Sequence, residues 1–245
     1  MKHPCSQIQS FVNAAATPAE HLAWDEALLE YCEQTGLSTL RFWEPDTYFI
    51  VLGLANEVAK ETNPAACERL GIPILRRCSG GGAVVQGPGC LNYSLVLPLA
   101  FTPGLETVTG ANRHIMERHT AALSELLGRA VEWRGCTDLA LDGRKFSGNA
   151  QRRARHSLLF HGTFLLNFDL QLVSQVMPQP SRQPDYRAGR AHGDFLINLG
   201  MSADVVCQSL RTAWNAGKSS PPQLEARVDA LVQEKYARIE WNLRR

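Results

Sequence analysis

Arg76-Arg77-Cys78-Ser79-Gly80-Gly81-Gly82-Ala83-Val84-Val85 is the stretch that decides how this chain is read. It follows an apolar run, Ile72-Pro73-Ile74-Leu75, and itself ends in another, Ala83-Val84-Val85. The pattern predicts a strand, a tight glycine turn and a second strand. Glycine lacks a Cβ, so its backbone can approach a ligand closely and adopt positive φ. Two arginines at the mouth of such a loop suit a phosphate or carboxylate, which guanidinium grips bidentately. Neighbours in a strand point to opposite faces, so only one of the pair is expected to reach a pocket. A glycine-rich hairpin with solvated arginines meets the same pattern.

Working outward, Thr17-Pro18-Ala19-Glu20 predicts a helix start, with Thr as N-cap and Pro in the first turn, running to about Gln34 before Gly36. Leu40 to Trp43 and Phe49 to Leu52 read as strands. Asn63-Pro64 opens a helix that Gly71 ends. Leu91 to Leu97 reads as a core strand, and Thr107 to Leu127 as a longer helix ended by Gly128. Val131 to Trp133, Leu139 to Leu141 and Ser157 to Leu166 are further strands. A Pro-rich loop, 177–184, follows. Ser202 caps a helix through Trp214, and Ser219-Ser220-Pro221-Pro222 links to a last helix. Mixed strands with segregated helices predict an α+β fold, a mixed, largely antiparallel sheet flanked by helices.

The chain has 245 residues and a formal net charge of +1, which gives no argument for nucleic acid or an anionic membrane. No apolar run approaches a bilayer-spanning length, and Met1-Lys2-His3-Pro4-Cys5 lacks a signal core. Seven cysteines, with no Cys-x-x-Cys pair, favour reduced thiols in a cytoplasmic setting over disulfides or a structural zinc.

A second segment narrows the reading: Asp142-Gly143-Arg144-Lys145-Phe146-Ser147-Gly148-Asn149-Ala150-Gln151, then Phe160-His161-Gly162-Thr163-Phe164. With the glycine stretch, Leu91-Asn92-Tyr93-Ser94, Asp138-Leu139, Leu40-Arg41-Phe42-Trp43, Val51-Leu52-Gly53 and Glu240-Trp241-Asn242, it resembles the lipoate–protein ligase family of the biotin/lipoate ligase superfamily. The resemblance runs from about residue 20 onward, and several ordered motifs are far more specific than one.

The resemblance implies activation of lipoate or octanoate with ATP and Mg2+, then transfer of the acyl group to a lysine of a lipoyl domain. Acceptors would be 2-oxoacid dehydrogenase acyltransferases and the glycine-cleavage H protein. It implies Lys145 as the catalytic cation. Arg76, Arg77, Ser79, Gly80, Gly81, Gly82, Ala83, Gln86, Asn92, Ser147, Asn149, Ala150, His161 and Thr163 would contact acyl group or nucleotide. Asp138 would hold magnesium, a hard cation that prefers carboxylate oxygen. A turn-capping Asp and a satisfied core histidine are the ordinary alternatives for Asp138 and His161. The basic turn Arg152-Arg153-Ala154-Arg155-His156 reads as a solvated tip or as a dock for an acidic lipoyl domain.

Gln86, Cys90 and Thr137 stand where many family members have His, Asn and Asn. Cys90 and Cys136 keep open a sister activity, an ATP-independent octanoyl or lipoyl transferase working through a cysteine thioester. A non-catalytic lipoate- or adenylate-binding module is a third reading. A biotin ligase is disfavoured by the lack of a Gly-Arg-Gly-Arg-type loop. Only three residues follow Trp241-Asn242, so residues 1–245 are expected to form the catalytic domain without the small accessory domain of many relatives. A separate accessory subunit is then an expected partner.

Overall fold

The computed structural model describes residues 7–180 and 183–244; Met1 to Cys5, read above for a signal core, and Ser181-Arg182 of the Pro-rich loop lie outside the described residues. The first half runs β1 (Gln9–Val12), α1 (Pro18–Thr35), β2 (Thr39–Trp43), β3 (Phe49–Leu52), α2 (Val58–Glu61), α3 (Pro64–Leu70), β4 (Ile74–Arg76), β5 (Val84–Gln86), β6 (Cys90–Pro98) and α4 (Val108–Leu127). The second runs β7 (Glu132–Arg134), β8 (Asp138–Leu141), β9 (Arg144–Arg153), β10 (Ser157–Leu165), α5 (Leu170–Val176), α6 (His192–Phe195), α7 (Ala203–Ala213), β11 (Gly217–Lys218), α8 (Glu225–Leu231) and α9 (Ile239–Asn242).

Helix ends follow local chemistry. The side chains of Thr17, Asn63 and Thr107 accept amides of the first turns of α1, α3 and α4, and Gly36, Gly71 and Gly128 close those helices in the left-handed region.

The main sheet has the order β11-β1-β2-β6-β10-β9-β8-β7, antiparallel from β2 to β7 with β1 and β11 added in parallel. On one face, Tyr93, Leu95, Phe160 and Phe164 pack with Ile115 and Met116 of α4 and Val206 and Leu210 of α7. On the other, Val96 and Leu159 pack with Ala23 and Leu28 of α1 and Val228 of α8. Burial of each valine, leucine, isoleucine, methionine or phenylalanine among them contributes about 1.5–3 kcal/mol. The fold is therefore mixed α+β with a mostly antiparallel sheet, as read from the sequence.

The glycine stretch departs from expectation. Its two strands do not pair with each other as a hairpin. β3 lies between them, parallel to β4 and antiparallel to β5, in a separate three-stranded sheet. Residues 77–83 thus form a crossover loop, and apolar Ile50, Leu52 and Val85 join that sheet to Val173 and Val176 of α5. The short strand β11 at the sheet edge, and β1 beside it, were not predicted either.

Candidate active site

Strand register sets the site. One row across the main sheet reads Arg41, Ser94, His161, Ala150; the next reads Trp43, Asn92, Thr163, Gly148, Asp138. Paired residues share a face. The polar members of these rows therefore lie opposite Tyr93, Phe160 and Phe164, on the side that meets the glycine loop.

A bulge brings Lys145 to this face. The β8–β9 register shifts at Leu139/Ala140, so Leu139 pairs with Ser147 and Ala140 with Lys145, with Phe146 as the extra residue. The shift returns Lys145 to the side of Gly148. Its side chain then lies across Gly148: a Cβ built there would stand 2.8 Å from Lys145 Nζ. Nζ pairs with Asp138 Oδ1 at 2.7 Å, and Tyr186 donates its hydroxyl to Asp138 Oδ2 at 2.9 Å. Burial, then the Asp138 charge, pushes the Tyr186 phenol well up, so it stays a donor.

Across the sheet a buried polar chain anchors the loop. Arg77 Nε donates to Ser79 Oγ at 2.9 Å, Ser79 Oγ meets His161 Nε2 at 2.6 Å, and His161 Nδ1 meets Asp25 Oδ2 at 2.6 Å. Asp25 also accepts from Ser94 Oγ and, at 3.1 Å, from Arg41 Nη1. Burial would raise the Asp25 carboxyl, but the His161 hydrogen bond and the charges of His161 and Arg41 hold it below its ordinary value. Desolvation lowers Arg41 and Arg77 to about 10, and both remain cations at neutral pH.

The arginine pair splits as strand alternation requires, though neither guanidinium is left open for a phosphate. Arg76 donates to the carbonyls of Gly53, Asn56, Asn242 and Arg244, fastening the C-terminal segment. Arg77 braces the loop from within, donating to Gly80 O at 2.5 Å and Gly82 O at 2.9 Å. The exposed amides of Gly80, Gly81 and Gly82 have no hydrogen-bond partner among the described residues. Gly81 needs its glycine: φ is +91°, and a Cβ would sit 2.8 Å from Arg77 Nη2 and 3.5 Å from Ala150 Cβ. Ala83, half-buried, leads from the loop into β5.

Gln86 and Asn92 meet at Thr163. Gln86 Nε2 donates to Thr163 Oγ1 at 2.7 Å, and Thr163 Oγ1 donates to Asn92 Oδ1 at 2.7 Å.

Ser147 and Asn149 turn away from Lys145. Asn149 accepts from Tyr93 Oη at 2.6 Å and donates to Thr137 O at 2.6 Å, to Ser147 Oγ and to Met116 Sδ, all on the α4 side. Their side chains tie the β7–β8 turn to the sheet. Of the β9 segment, Lys145, Gly148 and Ala150 remain on the site face.

The cysteines separate clearly. Cys90 is fully buried and its thiol is pushed far up by desolvation, the opposite of what a nucleophile needs. Cys136 is exposed in the turn before β8. For magnesium, Asp138 is a lone carboxylate already engaged by Lys145 and Tyr186. No group of three or more His, Cys, Asp or Glu residues able to hold a metal occurs among the described residues. A Mg2+ carried on nucleotide phosphates takes only one or two carboxylates from a protein, and Asp138 is the residue of this face that would supply one. Nor is any helix of the described residues long and apolar enough to cross a membrane.

Sequence reading missed Asp25, Ser94 and Tyr186. An acid on the buried side of α1, within Leu22-Ala23-Trp24-Asp25-Glu26-Ala27-Leu28, was the available signal for the first.

The chain is 27% identical to octanoyltransferase LipM of Brevibacillus brevis, over 98% of this chain and 99% of that protein. It is 24% identical to lipoate-protein ligase A subunit 1 of Thermoplasma acidophilum, over 91% and 90%. In fold it is similar to a bi-partite lipoate protein ligase of Thermoplasma acidophilum, at a TM-score of 0.82 and 22% identity over 97% and 95% of the two chains. A lipoate-protein ligase A bound with ATP gives 0.79 and 23%, over 97% of each chain. The model of the lipoyl protein ligase A/B catalytic domain matches residues 17–199, and the chain belongs to that family, enzymes that are lipoate–protein ligases or octanoyltransferases.

Proposed function

We propose that this protein is an ATP-dependent lipoate–protein ligase. The substrate carboxylate attacks the α-phosphorus of ATP; an acyl–O–P bond forms, and the bond to pyrophosphate breaks. The acceptor lysine then attacks the acyl carbon, an amide forms, and AMP leaves. Lys145 stabilises the charge that builds on the phosphorane and later on the acyl oxygen. The observation that carries this reading is the Lys145 ammonium held over Gly148 by Asp138, facing the loop of unbonded glycine amides. Donors of that kind suit phosphate oxygens.

Acceptors are lipoyl domains of 2-oxoacid dehydrogenase acyltransferases and the glycine-cleavage H protein. The Thermoplasma lipoylation system is described as a bi-partite lipoate protein ligase and its E2 lipoyl domain, which supports both a lipoyl-domain acceptor and a separate accessory subunit here. The domain acts in the cytoplasm.

A second reading, an ATP-independent octanoyl or lipoyl transferase, is favoured by the near full-length match to LipM and by the exposed Cys136. Lipoate-dependent exchange of pyrophosphate into ATP separates the two. Exchange supports the ligase; none, with acylation from octanoyl-carrier protein that is lost in Cys136→Ser, supports the transferase.

A further inference from the structure

Gln86 and Asn92 are both more than nine-tenths buried, and each leaves one polar atom without a partner: Gln86 Oε1 and Asn92 Nδ2. Burying such groups unpaired costs about 1–3 kcal/mol each, so the arrangement points to a ligand that completes it. The two amides are joined through the Thr163 hydroxyl, which receives a hydrogen bond from one and gives its single proton to the other. Reversing both amides preserves the logic: one N–H2 and one C=O always remain.

The pair is beside the reacting centre. Thr163 pairs across strands with Gly148, and Lys145 Nζ lies over Gly148. Asn92 pairs with Thr163 on the other side. Neighbouring strands stand about 4.7–4.9 Å apart, so the amides border the position where Lys145 would meet an acyl oxygen.

A free carboxylate, or an acyl-phosphate, offers only acceptors at this point. It would match the amide N–H2 and be repelled by the carbonyl. The tetrahedral intermediate of amide formation offers both partners, an oxyanion and an N–H on the nitrogen that has just bonded. We propose that Asn92 Nδ2, with Lys145, donates to the acyl oxyanion, while Gln86 Oε1 accepts an N–H of the attacking lysine amine. The C–N bond forms first and the carbonyl pair moves onto the oxyanion; collapse of that intermediate then breaks the acyl–O bond to the phosphate. The electron pair leaves with AMP, and the surplus amine proton departs with the leaving phosphate. Thr163 is the positioning residue that orients the two amides. The inference rests on the amide-forming reading of the site, and holds for the transfer half whether the donor is an adenylate or a thioester.

The test separates the two half-reactions. Asn92→Asp removes the N–H2 at constant shape, Gln86→Met removes the carbonyl at constant length, and Thr163→Val removes the coupling hydroxyl. Activation is read as lipoate-dependent pyrophosphate exchange. Transfer is read as single-turnover acylation of an apo lipoyl domain from preformed octanoyl-adenylate. Loss of one oxyanion donor costs about 10²–10³-fold, so Asn92→Asp should slow transfer by that factor and slow exchange clearly less. Gln86→Met should raise the KM for the lipoyl domain and slow transfer. Equal losses in both half-reactions, or unchanged transfer, would overturn the proposal. If the wild-type protein shows no exchange, the ligase reading fails instead, and the same variants are compared for acyl loading and transfer from octanoyl-carrier protein. Thermal melting of each variant reports whether the fold is intact.

Discussion

Ser79 and His161 stand 82 positions apart in the chain, yet Ser79 Oγ and His161 Nε2 meet at 2.6 Å. Through this contact the small sheet that carries the glycine loop is fixed to the main sheet that carries Lys145. His161 is in turn held by Asp25, so helix α1 sets where the loop sits. Asp25→Asn should leave the buried Arg41 and His161 poorly paired. Loss of one partner of a buried pair costs about 3–5 kcal/mol, and urea denaturation at pH 7.5 checks it.

The same burial makes stability pH-dependent. Desolvation, then the Arg41 charge, lowers His21 to about 3, and desolvation lowers His119 to about 3, both from 6.5. Their folded values are depressed, so stability is fully present above pH 6.5 and is lost as the pH falls toward 3. Asp25, held below 3.8, adds a further loss below that pH. Urea midpoints should fall steadily from pH 7 to pH 4, and His119→Leu should flatten that slope. A midpoint constant from pH 7 to pH 4 would contradict this.

Gly148→Ala is a sharp probe of Lys145. The new Cβ would lie 2.8 Å from Nζ and 2.9 Å from Cε, the movable end of a flexible side chain, with Asp138 Oδ1 in ordinary contact at 3.7 Å. The fold should tolerate it, with a melting temperature within a few degrees of wild type. Acylation should fall by about 10²-fold as the ammonium is displaced from Asp138. Lys145→Met should lose at least as much.

Gly53→Ala acts on backbone instead. Its Cβ would stand 2.1 Å from Gly81 O, which cannot yield without moving the loop. Both melting temperature and acylation should drop, in contrast to Gly148→Ala.

Thiol labelling is predicted to be selective. Among the described cysteines only Cys136 is exposed, while Cys32, Cys67, Cys78, Cys90 and Cys207 are buried. Iodoacetamide on the native protein should modify Cys136 and spare those five. Ligation should survive, and so should ligation by Cys136→Ser. Peptide mass mapping and the acylation assay read both.

Much of this was legible because local chemistry wrote it. Thr17, Asn63 and Thr107 cap their helices through their own side chains, and Gly36, Gly71 and Gly128 end them. What misled was non-local. The apolar runs flanking Gly80 to Gly82 look like a hairpin, but Phe49 to Leu52 inserts between them, and no residue of the stretch records that. Alternation from Lys145 would place Ser147 and Asn149 beside it; the bulge at Phe146 sends them to the α4 side. Arg76 looked like an anion ligand, because nothing nearby reveals that its partners lie at Gly53, Asn56 and Asn242. Asp25 was hidden by an unremarkable helix, its meaning fixed only by His161 and Arg41 arriving from other strands.

The proposed Lys145 site activates an acyl group with ATP and passes it to a lysine. The most direct test is the intact mass of an apo lipoyl domain incubated with the protein, lipoate and magnesium, with and without ATP, alongside Lys145→Met. A lipoyl mass gain that requires both ATP and Lys145 is expected. Acylation from octanoyl-carrier protein alone, indifferent to ATP, or full ligation by Lys145→Met, would contradict it.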